Sequence, residues 1–311
     1  MFKQKLDGNR DNVTSQSRKF YEKYPFPGTR PLDRDGLIFL RNINSSIESL
    51  VKKGVRPSIL DAGCGTGNTI IHLAENNKKL KFVGFDNSKT SLIKAVTLSE
   101  SKNLSNVIFK KWNLRVSLPY KNYFEIIYCL GVLHHTADPI AVLKNLYHAL
   151  KDDGELYLWI YSKYGRYKHS LNMRLLSMLL KNKSREIDEL NFTKEFIFNT
   201  KNITPLNDLV QTYSEDPSLN EMFSDPIWIA DQFLNPNEIL LSMEELIELS
   251  HLCGFEISKV LGINPEISNY LSSDQLCSSF HNLTKTKQLI ALDLLLKPPR
   301  HFVILRKTKR R

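Results

Sequence analysis

ILDAGCGTGNT, residues Ile59 to Thr69, decides the fold of this chain. An apolar run meets an acid at Asp61 and then breaks into Gly63, Gly65 and Gly67, three glycines in five positions. Glycine accepts the left-handed backbone of a tight turn and lets another group approach without meeting a β-carbon. A strand that stops this abruptly reads as a bend into a helix with bare backbone at the bend. In an open parallel sheet, ligands bind outside the carboxyl ends of the strands, where such bends lie. The spacing then separates ligand types. A dinucleotide fingerprint asks for G-x-G-x-x-G, and counted from Gly63 and Gly65 its last position falls on Asn68.

Outward from this loop, short β-rich runs alternate with helical patterns, the signature of a parallel sheet covered by helices. The expected strands are SILDAG, KFVGFD, VIFKKW, FEIIYCLG and ELYLWIY, with FEISKVLG and HFVILRKT later. DPIAVLKNLYHALKDDG is the clearest helix: Asp138 caps it, Pro139 takes the first helical position, Leu143, Leu146 and Leu150 share a face, and Gly154 is expected to end it. SMEELIELSHLCG and KTKQLIALDLLL read as two further helices.

The fold expected is α/β: a seven-stranded, mostly parallel Rossmann-like sheet with helices on both faces, an N-terminal lid and a helical insertion after the fifth strand. By segment, residues 1–50 read as arm or lid and 51–162 as the ligand-binding core. Residues 163–241 read as an insertion, too long for an ordinary connection, that would cap the acceptor side. Residues 242–311 read as the last helix and strands with a second small insertion.

Composition narrows the class. The chain has 311 residues, enough to bury a sizeable core. LIALDLLL, its best apolar stretch, is far short of the ~20 residues of a membrane span. MFKQKLDGNRDNVTSQSRK has no apolar core of the secretory kind, which gives a cytoplasmic expectation. Cys64, Cys129, Cys253 and Cys277 show no C-x-x-C pairing and read as reduced side chains, neither disulfides nor metal ligands; no metal is expected. The 43 basic against 33 acidic residues give +10, partly in the closing RKTKRR. Nucleic acid is thereby allowed as a partner without being favoured.

D-x-G-x-G-x-G, formed by Asp61, Gly63, Gly65 and Gly67, closely resembles the first motif of class I S-adenosylmethionine-dependent methyltransferases. The resemblance runs on through GFDNS, through NLRVSLPY after the third strand, and through CLGVLHHTADP after the fourth, covering residues 55–162. It implies S-adenosyl-L-methionine as cofactor and a methyltransferase as the enzyme class. The loop residues Asp61, Gly63, Cys64, Gly65, Thr66 and Gly67 would hold the amino-acid end of the cofactor, with Asp61 beside its ammonium. Asp86, followed by Asn87, would accept from the ribose hydroxyls, about 20 residues beyond the loop as that role requires. Asn113 stands where the family commonly has Asp; with Leu114 it would meet the adenine edge, accepting through its amide oxygen. Leu130 and Gly131 would pass the methionine part.

Catalytic residues are unassigned, because aligning two reactants supplies much of the rate and no obligatory side chain is needed. His134 and His135 read either as a base near neutral pH or as a pair bonding backbone carbonyls under the sheet end. Tyr161 and Tyr164 leave the fifth strand toward the same place, as pocket or packing aromatics. In RKFYEKYPFPG, Phe20, Tyr21 and Tyr24 would either fold over the cofactor or staple the arm to the core, Tyr21 being the cofactor contact. Trp228, Phe233, Asp225 and Asp231 in SDPIWIADQFLNP line a pocket or build a small helical core. A small-molecule acceptor is expected; the alternatives are an RNA or protein methyltransferase using the basic arm and tail, or a protein that binds S-adenosylmethionine without catalysis. The sequence leaves the oligomeric state and the acceptor atom open.

Overall fold

The computed structural model describes residues 10–28, 34–181, 188–199 and 225–308. At its centre lies a seven-stranded sheet in the order β3-β2-β1-β4-β5-β7-β6. The strands are β1 (Ser58–Ala62), β2 (Lys81–Asp86), β3 (Val107–Lys111), β4 (Phe124–Leu130), β5 (Leu150–Tyr161), β6 (Phe255–Val260) and β7 (Arg300–Lys307). β1 to β5 pair in parallel, and β7 enters antiparallel between β5 and β6. All seven expected strands are there. The parallel ones were legible because helices cover both faces, which makes a strand an almost unbroken apolar run.

Side-chain alternation divides those runs between two cores. Leu60, Ala62, Val83, Phe85, Ile127 and Cys129 pack on one face with α5 (Pro139–Ala149) and α9 (Met243–Leu252). Ile59, Phe82, Ile126 and Tyr128 pack on the other with α2 (Arg34–Lys52) and α3 (Asn68–Asn76). Within the segment read as an arm, α2 thus supplies core: its Phe39, Leu40, Ile43 and Ile47 are buried. α1 (Arg10–Lys23) buries no residue fully and lies over the carboxyl end of the sheet.

Local signals set the helix ends. Gly67, at φ 85°, turns the chain into α3. Asp138 caps α5 by accepting from the Ala141 N–H, and Pro139 opens the helix. Ser242 and Glu245 form a reciprocal capping box on α9. One boundary needs correcting. α5 ends at Ala149, not at Gly154, because Leu150 already pairs with Phe124 in the β4–β5 ladder and starts β5.

After β5 come α6 (Tyr167–Lys181), α7 (Glu189–Asn199) and α8 (Pro226–Phe233). They share a small core of Leu176, Phe196, Ile197, Trp228, Ile229 and Phe233, so Trp228 and Phe233 pack inward. Residues 182–187 and 200–224 of the expected insertion lie outside the described residues. α10 (Asp274–His281) and α11 (Lys285–Leu296) form the second small insertion around Ile267, Phe280 and Leu292. α4 (Lys89–Ser101) follows β2. The four cysteines are unpaired. Among the described residues, no helix is long and apolar enough to cross a membrane.

Candidate functional site

The order of the sheet reverses between β1 and β4, and a pocket opens there at the carboxyl ends of the strands, the expected place in such a sheet. Gly63, Asp86, Asn87, Asn113, Leu114, Leu130 and Gly131 line it, joined by Tyr21 and His135. Gly131 is required by space as well as by its φ of 71°: a β-carbon would stand 2.2 Å from the Trp159 ring. Asp86 ends β2 with its carboxylate held by two backbone donors. The Gly65 N–H donates to Oδ2 (2.9 Å) and the Ser88 N–H to Oδ1 (2.8 Å). An ionised carboxylate has about four acceptor positions, so acceptor capacity remains for a ligand. Burial raises the Asp86 pKa, opposed by those backbone donors. Asn113 accepts from the Arg115 N–H (3.1 Å), which leaves its amide oxygen a second lone pair.

The other loop residues face elsewhere. Asp61 was expected beside a ligand ammonium, but it sits beneath the loop, 4% exposed and outside the pocket lining. The reason is the path of the loop: Gly63 and Cys64 both donate to the Phe85 carbonyl, turning the chain over the Asp61 side chain. Burial, and then the charge of Asp86, push the Asp61 carboxyl well above the usual carboxylate range. Cys64 is buried, and burial pushes its thiol up. Gly67 packs against Ala95 and Ile71.

Gly65 and Thr66 meet the N-terminal arm. The Thr66 N–H donates to the Phe26 carbonyl (3.2 Å) and its hydroxyl to the Gly28 carbonyl (2.9 Å). A β-carbon on Gly65 would stand 2.3 Å from the Phe26 oxygen. The close approach that this glycine permits is therefore that of the chain's own arm. Gly65→Ala is expected to push residues 24–28 off the loop, seen as faster proteolysis or hydrogen exchange of the arm with the sheet unaffected. Unchanged arm protection would refute that account.

Polar contacts hold α1 over the pocket. Glu22 caps α4 by accepting from the N–H groups of Lys89 (2.7 Å) and Thr90 (2.9 Å) and from the Thr90 hydroxyl. Arg10 pairs with Asp138 (2.6 Å), and Arg115 donates to Thr14 (2.5 Å). Ser17 donates to the His135 carbonyl (3.2 Å). Phe20 and Tyr24 pack on one another (centroids 5.3 Å apart), while Tyr21 alone of the three lines the pocket.

Beyond Tyr21 lies a buried polar cluster. The Tyr21 hydroxyl donates to Asp231 Oδ1 (3.0 Å) and accepts from Asn235 Nδ2 (2.9 Å). Gln232 donates to Asp231 (3.0 Å) and to the Tyr161 hydroxyl (2.7 Å). Arg166 lies 3.6 Å over the Tyr161 ring, donates to Gln232 (3.0 Å) and grips both oxygens of Glu238 (3.3 and 3.1 Å). His135 binds the Asn237 carbonyl through Nδ1 (2.7 Å). His134, 1% exposed, packs against Tyr161 and His135 (4.1 Å each) with neither ring nitrogen hydrogen-bonded. Burial lowers both histidine pKa values, so the neutral rings are favoured. Tyr164 is partly exposed, outside this cluster.

A family model described as a methyltransferase domain matches residues 60–156, the stretch that builds the pocket floor. Residues 60–156 thus match a methyltransferase domain, set in a sheet with the class I methyltransferase fold. Among solved structures, the chain resembles PKMT2 from Rickettsia typhi in complex with AdoHcy, with a TM-score of 0.63 and 16% identity over 82% of this chain and 50% of that one. It is 36% identical over 105 residues to a tRNA U34 carboxymethyltransferase of Helicobacter acinonychis, 32% of this chain and 38% of that protein. An uncharacterized protein of Synechococcus sp. is 27% identical over 301 residues, 94% of this chain and 71% of the relative. The chain therefore spans well under half of the tRNA-modifying relative and half of the Rickettsia chain.

The matched methyltransferase domain implies S-adenosylmethionine as cofactor, and the donor set suits it. A carboxylate with spare acceptor positions, an amide, apolar Leu114 and Leu130, and the bare backbone of Gly63 and Gly131 line one pocket. When bound, the cofactor supplies an electrophilic methyl group on a sulfonium. Among the described residues no group of three His, Cys, Asp or Glu side chains could hold a metal ion.

Sequence reasoning missed the arm's Thr14, Ser17 and Arg18 and the core's Trp112, Arg115 and Thr136, all of which line the pocket. Trp112 and Arg115 flank Asn113 and Leu114 in the chain, a neighbourhood that was a usable signal. The arm residues had none, because their polar helix reads as solvated.

Proposed function

We propose that this methyltransferase moves the methyl group of S-adenosylmethionine to a small-molecule acceptor by in-line displacement. In this reading Asp86 accepts from the ribose hydroxyls, Asn113 and Leu114 take the adenine, and Leu130 and Gly131 flank the methionine part. The observation that carries it is the enclosure of the far end of the pocket: α1 crosses above it, and Tyr21 joins the buried cluster of Asp231, Tyr161 and Gln232 behind it. Such an end suits a slender group reaching the methyl. Polymer-directed sites instead spread stacking aromatics and cations along an open groove.

A second reading is supported by the partial likeness to the tRNA U34 carboxymethyltransferase and by the net charge of +10. RNA would then be the acceptor, held by phosphate contacts that weaken steeply with salt. Incubation with methyl-labelled S-adenosylmethionine and fractionated cell extract separates the two. Label is expected in the small-molecule fraction. Label in tRNA alone would replace the first reading by the second, and label in neither, with cofactor bound, would point to a binding protein without turnover.

A further inference from the structure

Tyr21 reaches from the pocket wall into the buried cluster, and no other phenol lines the pocket among the described residues. Its ring lies 6.1 Å from that of His135, on the side of the pocket where Leu130 and Gly131 end β4. Its hydroxyl gives its proton to Asp231 and takes one from Asn235, leaving the oxygen one further acceptor position. Asp231 is buried on α8, where Tyr21, Gln232 and Asn235, all neutral donors, hydrogen-bond it. Arg166, the nearest guanidinium in the cluster, is spent on Glu238 and Gln232. A buried carboxylate held only by neutral donors is a proton acceptor in waiting.

Resting on the proposed methyl transfer, we infer that Tyr21 and Asp231 form a proton relay at the transferable methyl, and that the acceptor is therefore a protic nucleophile, an N–H or O–H compound. The acceptor heteroatom bonds the methyl carbon while the carbon–sulfur bond breaks with its electron pair left on sulfur. The acceptor's proton passes to the Tyr21 oxygen as the phenolic proton passes to Asp231, which releases it to water when the products leave. Tyr21 touches the reacting atoms; Asp231 acts through it as a positioning residue.

The groups facing Asp231 agree with this division. Burial raises the Asp231 carboxyl to about 6, opposed by the Tyr21 hydrogen bond and by Arg166. Burial, and then the charge of Asp231, hold Tyr21 well above the usual phenol range. Burial raises Tyr161 as well, and it lowers His134 and His135. Glu238 faces the cluster paired to Arg166. Asp231 is thus the group that titrates near pH 6 at this end: it is ionised, and able to accept, above that pH and neutral below it.

The test uses two probes that share every part of the cofactor except the reacting centre. Sinefungin carries an ammonium where the transferable methyl stands; S-adenosylhomocysteine carries nothing there. Calorimetry on the full chain is expected to show sinefungin favoured, with a preference that falls roughly tenfold as pH drops from 7.5 to 5 and Asp231 takes up its proton. At pH 7.5 the same preference is expected to shrink about tenfold in Asp231→Asn and to weaken in Tyr21→Phe. Asp86 and the backbone donors touch both probes alike and cancel in the ratio. A preference independent of pH in the wild-type chain would overturn the relay even if the variants fail to fold, and so would an unchanged preference in folded Asp231→Asn. Failure of both probes to bind the wild-type chain is a different result, which removes the cofactor site itself and the relay with it.

Discussion

Asp86→Ala is expected to weaken S-adenosylmethionine binding by about 100- to 10,000-fold while the sheet stays folded. The carboxylate lines the pocket, and its remaining acceptor capacity suits the ribose hydroxyls. A hydrogen bond to a charged group contributes about 1.5–3 kcal/mol, and each 1.4 kcal/mol is tenfold in affinity, so two such bonds account for the range. The same change frees the Gly65 and Ser88 N–H groups, loosening the loop and the start of α4 together. Asp86→Asn is expected to lose less, because one acceptor oxygen survives, although its NH2 then confronts a backbone N–H. Calorimetry with S-adenosylmethionine, beside circular dichroism for folding, measures both. Wild-type affinity in folded Asp86→Ala would remove Asp86 from the cofactor site.

The second large effect is on stability. Arg166 and Glu238 form a two-pronged ion pair with side chains only 7% and 12% exposed, and Arg166 also covers the Tyr161 ring. Removing one partner of a buried pair leaves the other charged and unmatched, which costs about 3–5 kcal/mol. Arg166→Met is therefore expected to lower the midpoint of thermal unfolding by about 5–15 °C. Adding Glu238→Leu to it is expected to recover much of the loss, because replacing both charges by apolar groups of similar size is often neutral. A single variant as stable as wild type, or a double variant worse than the single, would show that the pair is not the source of the effect.

Much of the fold and half of the site were legible in the sequence, for a physical reason that also explains the rest. β1, β2 and β4 announce themselves because burial on both faces demands continuous apolar runs, and Gly63 and Asp86 stand beside them at fixed strand ends. Asp138 was readable as a cap because a cap is satisfied within three or four residues. Contacts across the fold leave no such local trace. Tyr21 and Asp231 are 210 residues apart, and Thr66 and Gly28 are 38 apart. Asp61 shows the complementary failure: its place in the motif was recognised, but the path of the loop that turns over it is set by the Phe85 carbonyl on a neighbouring strand. The end of α5 was misplaced for a related reason, since Leu150 leaves the helix to join Phe124 across the sheet.

The order in which the ribosome delivers these strands has a consequence of its own. β7, residues 300–307, is an interior strand: it separates β5 from β6, and β6 has no other neighbour. While the chain is being synthesised, β1 to β5 can assemble in sequence with the pocket among them, but one side of β5 must wait for nearly 140 more residues and all of β6 for nearly 40. Until then the nascent protein carries two sticky, half-finished edges, the kind of surface that chaperones hold and that other chains adhere to. A stop codon just before residue 300 would therefore remove a central plank of the sheet, not trim a tail.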